Sequence, residues 1–422
     1  MFLGGPGPRH PRDIVVLGLV GVMTDLELSW SGALSVHDRA ADYLWSHLED
    51  RSVRFLPSQF ASMFFSTLGQ LVVGRGDPAG RRAGLAVLGR MYQRFKLHPY
   101  HDTVIAAAMV DTVGRFAGDC WVPELAGVWE RGCRRALRLA ERAAGALGDG
   151  PQVTVGEIEA SEAVSDGVAV LTVRPMRRLR YLPGQALPVC TPRLPGLWRW
   201  YSPANAPRPD GTVEFHVRAV SGGVVSPVLV ERLAPGEQLW LGSACDVGLS
   251  LEAAAGGADL LLAAGGTGLA PLRALVEQVG TAPAGRQVTL VVGSRTLLDL
   301  YDAVALDKLA EAHRDWLTVV LAFADDDEVE PAAQGDLLSV ALYHYRRGQA
   351  VYVCGPPRLI EAARHRLPAA GVALESLHLA VTFERALGPA QLTRQRSSRS
   401  CQVEPALGDD APRDGISQPS GS

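Results

Sequence analysis

The stretch DLLLAAGGTGLAPLRAL, residues 259–275, decides the fold. It opens as a short unbroken apolar run, turns on Gly265-Gly266-Thr267-Gly268, and continues as a helix through Leu272 to Val276. A run that is apolar at every position suits a strand buried on both faces, which is the situation inside a parallel sheet covered by helices. Glycines at the turn allow the backbone to approach a pyrophosphate closely. The helix that follows offers the anion unpaired N–H groups and the positive end of its dipole. The spacing is not GxGxxG, so the turn does not match the dinucleotide fingerprint of a Rossmann unit.

Three further runs of the same kind, QVTLVVG, LTVVLAF and QAVYVCG, alternate with helical segments, so a parallel α/β domain is expected over 257–385. CGPP, 354–357, closes the last of these runs, at the carboxyl end where open parallel sheets bind ligands. Upstream the period changes to two. VTVGEI, VAVLTV, TVEFHVRAV and EQLWLG, separated by glycine and proline clusters, predict a small antiparallel β-barrel over 152–252. Inside it RWYSPAN, 199–205, puts Arg199 and Tyr201 on one face of an extended segment, with Ser202 at the following turn. A cation, a planar ring and a hydroxyl in that arrangement suit a flavin nucleotide.

Before Gly148-Asp149-Gly150-Pro151 the pattern is helical, over 33–147. Phe60, Met63, Phe64, Leu68, Leu71 and Val72 recur at threes and fours, as do Leu125, Val128, Trp129, Cys133, Ala136, Leu137 and Ala140. Arg131, Arg135, Arg138 and Arg142 line the other side of the second helix and read as a solvated face. Residues 1–32 are expected to be a poorly ordered leader and 386–422, rich in Ser, Arg, Pro, Gly and Asp, a disordered tail.

Composition narrows the function. A chain of 422 residues needs two to three domains, and 47% hydrophobic with 20% charged residues describes a globular protein. The net charge of −4, with no basic run interleaved with aromatics, gives no reason to expect a nucleic acid. The apolar run from Ile14 to Met23 is too short to span a membrane. Six scattered cysteines without a CxxC pair argue against a zinc or iron–sulfur site and fit a reducing cytoplasm. Of the histidines, His216, His313, His344 and His365 show no ligand spacing and receive no role.

Taken in order, YLPGQ (181–185), RWYS (199–202), GGVVS (222–226), GGTGLAP (265–271), GSRTLLDLYD (293–302) and CGPP (354–357) resemble the ferredoxin–NADP reductase-like flavoproteins. The resemblance covers about 152 to 385 and implies an FAD-binding barrel followed by an NAD(P)H-binding domain. It implies that Arg199 binds the FAD pyrophosphate, Tyr201 lies on the isoalloxazine and Ser202 hydrogen-bonds flavin N5. Gln185, in the first motif, joins the FAD contacts, and Gly223, Val224, Val225 and Ser226 cradle its phosphates. Gly265, Gly266, Thr267 and Gly268 meet the NAD(P)H pyrophosphate, and Cys354, Gly355 and Pro356 flank the nicotinamide. Tyr201, Ser202 and Cys354 are thus the candidates for catalytic contact. Ser294 and Arg295 stand where a 2′-phosphate would lie, with the choice between NADH and NADPH open. The closing segment HLAVTF, 378–383, lacks the acid usual in flavohaemoglobins, while Phe383 can still cover the flavin.

The N-terminal helical region is similar to the globin domain of flavohaemoglobins, through Tyr43, VRFLP (53–57) and the run from LGRMYQRF to GDCWVPELAGVW. Where that family has LGRxH, with histidine on haem iron, this chain has LGRMY, so the haem candidate is Tyr92. The distal glutamine position falls at Phe60 or Gln59. Tyrosinate can hold haem iron but needs neighbouring positive charge to ionise, and only Lys96, at i+4, is placed to supply it. His98 precedes a proline, and His101 begins the next helix.

The resulting expectation is a cytoplasmic FAD-dependent NAD(P)H oxidoreductase joined to a globin-like domain whose iron site has decayed. Its partners are the nicotinamide cofactor and an electron acceptor, which could be oxygen, nitric oxide or a redox protein; no membrane or nucleic acid takes part. One alternative is a haem-binding flavohaemoglobin with nitric oxide dioxygenase activity. Another makes the helical region a non-haem docking or sensing module.

Overall fold

A computed structural model of the chain describes residues 61–73, 78–94, 97, 99–117, 121, 123–144, 153–251, 257–283, 285–326, 329–330 and 334–380, with a few positions between 39 and 46. The expected leader and tail, Gln59, Phe60, Lys96, His98 and Phe383 lie outside these residues.

Among the described residues, after helical positions between 39 and 46, come four continuous helices: α1 (Ala61–Val73), α2 (Pro78–Arg94), α3 (Pro99–Ala117) and α4 (Pro123–Ala144). Proline at the first position of α2, α3 and α4 fits there because that position has no intrahelical N–H bond to lose. Leu125 of α4 is buried, and Trp129, Cys133, Ala136, Leu137 and Ala140 share one core with Met63, Phe64 and Leu68 of α1 and Leu88 and Met91 of α2. Each large apolar side chain so enclosed contributes roughly 1.5–3 kcal/mol. Val128, included in the apolar stripe of the sequence, is 40% exposed, because it stands a third of a turn away from Trp129 on the inward line. Arg131, Arg135, Arg138 and Arg142 are exposed, as a solvated face should be.

The middle of the chain forms an antiparallel sheet in the order β4-β3-β6-β1-β2-β5, built from β1 (Val153–Ser165), β2 (Val168–Pro175), β3 (Gln185–Cys190), β4 (Arg199–Tyr201), β5 (Val213–Arg218) and β6 (Gln238–Gly242), with β7 (Cys245–Asp246) paired to β3. Its ends are drawn together where Ala204 N–H donates to Glu214 O and Glu214 N–H to Asn205 Oδ1, both at 2.8 Å, so the sheet curls into a near-barrel. Ile158, Leu171, Val173, Leu187, Val189, Phe215, Val217, Leu239 and Leu241 fill the inside. A short helix, α5 (Val225–Glu231), plugs one end with Val225, Val228 and Leu229. The sequence pattern revealed β1, β2, β5 and β6 and the extended segment of β4, but not β3 or β7. Pro188 interrupts the β signal of β3, and β7, a strand of two residues, is too short to show a period.

The last part is a five-stranded parallel sheet in the order β10-β9-β8-β11-β12: β8 (Leu260–Gly265), β9 (Val288–Ser294), β10 (Leu317–Phe323), β11 (Ala350–Cys354) and β12 (Leu377–Leu379). Alternate residues of β8 serve opposite helical layers. Leu260, Leu262 and Ala264 belong with α6 (Leu269–Thr281) and α7 (Ala303–Ala312); Leu261 and Ala263 belong with α8 (Leu337–His344) and α9 (Pro357–Ala369). That double cover explains why the run at 260–264 carries no polar residue. β12 was not recognised in the sequence because its three residues are all half-buried at the sheet edge.

The helical unit rests on the barrel. Trp198, fully buried, donates its indole N–H to Thr67 Oγ1 of α1 at 3.0 Å, and one apolar cluster runs from the helices through Trp198 and Trp200 to Val247 and Leu249. No helix among the described residues is long and apolar enough to cross a membrane, and none of their His, Cys, Asp and Glu side chains group as a metal site.

Candidate functional site

The parallel sheet reverses its strand order between β8 and β11, and the crevice outside the carboxyl ends of those two strands is where such sheets take ligands. The barrel closes the other side of this crevice, leaving a cavity of about 800 Å³, within the ordinary range for ligand pockets. Three expected groups converge here: Arg199, Tyr201 and Ser202 from β4 and its turn; Gly223, Val224, Val225 and Ser226 from the loop before α5; Gly265, Gly266, Thr267, Gly268, Cys354, Gly355 and Pro356 from the strand ends. The resemblance assigned these groups to two adjoining cofactors, and the fold gathers them at one cavity.

Local geometry shapes each of these groups. Gly266 has φ +55, a left-handed conformation that turns the chain sharply into the first residues of α6. Gly268 has an ordinary helical φ of −62, but a Cβ there would stand 2.5 Å from the Cys354 carbonyl carbon, so glycine is required by the approach of β11. Ser226 Oγ accepts the Val220 N–H at 3.0 Å, closing the loop before α5. Tyr201 is pushed above the usual phenol range by burial, so its hydroxyl stays neutral. Burial likewise raises the Cys354 thiol to about 12, which makes it an uncharged wall rather than a nucleophile.

Two expected contacts do not line this cavity. Gln185 is not among the lining residues; its side chain accepts the Leu182 N–H at 2.9 Å and shapes the turn into β3. Arg295 is exposed and faces Asp299 at 3.4 Å. Phe383 lies outside the described residues.

The cavity also has lining residues that the sequence did not single out. His216 and Arg218 of β5 face it, and Gly266 approaches the Arg218 side chain, whose Nε would be 4.0 Å from a Cβ at that glycine. The alternation in VEFHVR was the available signal: Val213, Phe215 and Val217 point into the barrel, which leaves Glu214, His216 and Arg218 on the other face.

Residues 156–245 match the oxidoreductase FAD-binding domain, and residues 262–365 match the oxidoreductase NAD-binding domain. The chain carries both domains. It is 31% identical over 233 residues to the xylene/toluene monooxygenase electron transfer component of Pseudomonas putida, covering 53% of this chain and 64% of that protein. It is 29% identical over 212 residues to the reductase component of phenol 2-monooxygenase from a Pseudomonas species, covering 49% and 59%. Among solved structures, the ferredoxin reductase in carbazole 1,9a-dioxygenase superposes with a TM-score of 0.50 at 26% identity, over 56% of this chain and 72% of that one. The chain thus spans about three fifths of the length of these two curated relatives. The cavity suits the cofactors these domains take: a flat tyrosine, an arginine and two close-approach glycine turns surround it.

The haem candidate is placed differently from its expectation. Tyr92 is buried in the helical core at 3% exposure, and its hydroxyl donates to the Asp102 carboxylate of α3. Burial, together with that carboxylate, raises the phenol well above its ordinary range. A tyrosinate ligand requires the opposite, a nearby cation, so Tyr92 does not fit haem iron. Tyr43 packs edge-on to Phe116, with the Arg115 guanidinium 4.7 Å above its ring.

Proposed function

We propose that the protein is an FAD-dependent NAD(P)H oxidoreductase that passes electrons to an acceptor outside the described residues. The observation that carries this reading is the cavity itself, whose walls are drawn from both the FAD-binding and the NAD-binding domain. Bound FAD would supply two-electron redox chemistry between the nicotinamide and the acceptor. The chain's own residues bind, orient and shield. Arg199 pairs with the FAD pyrophosphate, and the loop at 223–226 receives its phosphates through main-chain N–H groups. Tyr201 offers its ring as a flat support, and Ser202 holds its hydroxyl proton toward flavin N5. The turn at 265–268 receives the nicotinamide dinucleotide, and Cys354, Gly355 and Pro356 close over the nicotinamide side with uncharged groups that exclude water. The proposed division is a helical region over 33–147, a flavin barrel over 152–252 and a nicotinamide domain over 257–385.

The helical region is proposed as a globin-like unit that no longer holds haem, serving as a docking or supporting module. The Tyr92–Asp102 hydrogen bond favours this over a haem-bearing nitric oxide dioxygenase. One spectrum tests both statements. The purified protein should absorb as a flavoprotein, bleach near 450 nm with NADH or NADPH under nitrogen, and show no Soret band. A colourless protein that takes up no added FAD refutes the oxidoreductase reading, and a Soret band refutes the non-haem one.

A further inference from the structure

The outward face of β5 meets the nicotinamide domain at each of its three alternate residues. Glu214 stands 3.4 Å from Arg273 of α6, and Arg218 lies against the turn at Gly266. Between them His216, 4% exposed, has Nδ1 at 2.8 Å from the Tyr301 hydroxyl and Nε2 at 3.3 Å from Arg273 Nη1. The imidazole also meets the Tyr301 ring edge to face, centroids 5.4 Å apart at 89°. Arg273 is itself braced by Glu277 at 3.8 Å and Asp302 at 3.9 Å, and Arg208 of the barrel ties Glu214 to Glu277 at 2.9 and 3.4 Å.

These contacts fix the tautomer. An arginine has only donors, so Nε2 must accept, and the single proton of a neutral imidazole is left on Nδ1, from which it is donated to Tyr301. A rotation or slide of one domain on the other breaks both bonds together, and each leaves a buried polar group without a partner. The ring also lines the cavity, so the lock sits where the two domains share the cofactor site.

We propose that His216 is a positioning residue: a barrel side chain gripped by Tyr301 and Arg273 of the nicotinamide domain, it sets the register of one domain on the other and so the approach of nicotinamide to flavin. This rests on the oxidoreductase reading above. Hydride transfer needs reacting atoms about 3–3.5 Å apart, and a misplacement of about 1 Å can slow it about a hundredfold.

The test uses full-length His216→Phe and Tyr301→Phe, with His216→Asn as the partial rescue that keeps a donor toward Tyr301. Two readouts are taken: the rate of flavin reduction at saturating NADH by stopped flow, and amide hydrogen exchange without nicotinamide. Both phenylalanine variants should retain FAD, reduce it at least about tenfold more slowly, and exchange faster at 301–302 and along the first turn of α6, with β1 and β2 unchanged. His216→Asn should fall between them and wild type. A wild-type rate, or wild-type exchange at those amides, in Tyr301→Phe overturns the assignment even if His216→Phe fails to fold. A wild-type protein that NADH or NADPH does not reduce overturns the oxidoreductase reading, and this inference with it.

Discussion

Replacing Gly268 by alanine isolates one physical cause. Its φ of −62 is helical, so the backbone conformation itself accepts alanine. Against this, the new Cβ would lie 2.5 Å from the Cys354 carbonyl carbon and 2.7 Å from Gly355 Cα. Both obstacles are main chain, which cannot rotate aside as a flexible side chain can, so the carboxyl ends of β8 and β11 must part by about 1 Å to restore ordinary contact. Overpacking of this kind costs about 1–3 kcal/mol. The two strand ends are the nicotinamide side of the cavity, so the same displacement should slow flavin reduction by NADH about a hundredfold. The FAD loop at 223–226 belongs to the barrel, and flavin content should stay at the wild-type level. Thermal unfolding should drop by several degrees, as a loss of a few kcal/mol implies for a domain of this size. A Gly268→Ala protein with wild-type melting and a wild-type reduction rate would refute the claim that close approach is what requires glycine.

Other consequences can be checked with single substitutions or a titration. Tyr92→Phe removes the donor to the buried Asp102 and should cost about 1–3 kcal/mol in urea unfolding followed by helical circular dichroism, with the flavin spectrum unchanged; an unchanged midpoint would count against the pairing. Thr67→Val leaves the buried Trp198 indole N–H without its acceptor and should destabilise by a similar amount, about 1–3 kcal/mol. Burial, with Arg273 beside it, lowers the His216 pKa to about 3, against 6.5 for an unhindered imidazole. The unfolded chain therefore binds a proton between those values that the native one does not. Stability should then fall on acidification from about pH 6.5 toward pH 3, by up to about 1.4 kcal/mol per pH unit from this group. His216→Asn should flatten that slope, and an equally steep acid loss in the variant would disprove the contribution. Cys354, raised to about 12 by burial, should resist iodoacetamide at pH 8 in the native protein and react once it is unfolded.

The pattern along the chain made some features legible and hid others for identifiable reasons. The alternating runs and the runs apolar throughout both survived into the fold, because half-buried barrel strands impose the one pattern and parallel strands covered on both faces the other. β3 and β12 did not show, since Pro188 breaks the one and the other has only three residues. Arg199, Tyr201, Gly223 and Gly268 could be proposed for the site because a cation beside an aromatic and a glycine turn at a strand end suit a nucleotide, and because the motifs that hold them resemble a known family. Gln185 looked similar in its motif, yet its amide serves a turn. His216 carried no motif; its role depends on Tyr301 and Arg273, which stand 85 and 57 residues away.

What the sequence determined by itself was local: which segments alternate, which are apolar throughout, where glycine admits a close approach, and hence a helical region, a barrel and a parallel sheet in that order. Tertiary structure alone decided which of those local features face each other. Tyr92 became a neutral partner of Asp102 because α3 presents a carboxylate there, and His216 became a clasp because the second domain closes on the strand that holds it. Backbone periodicity is fixed by neighbours a few residues away, whereas charge and hydrogen bonding at a buried atom are fixed by whatever the folded chain brings within about 3 Å of it.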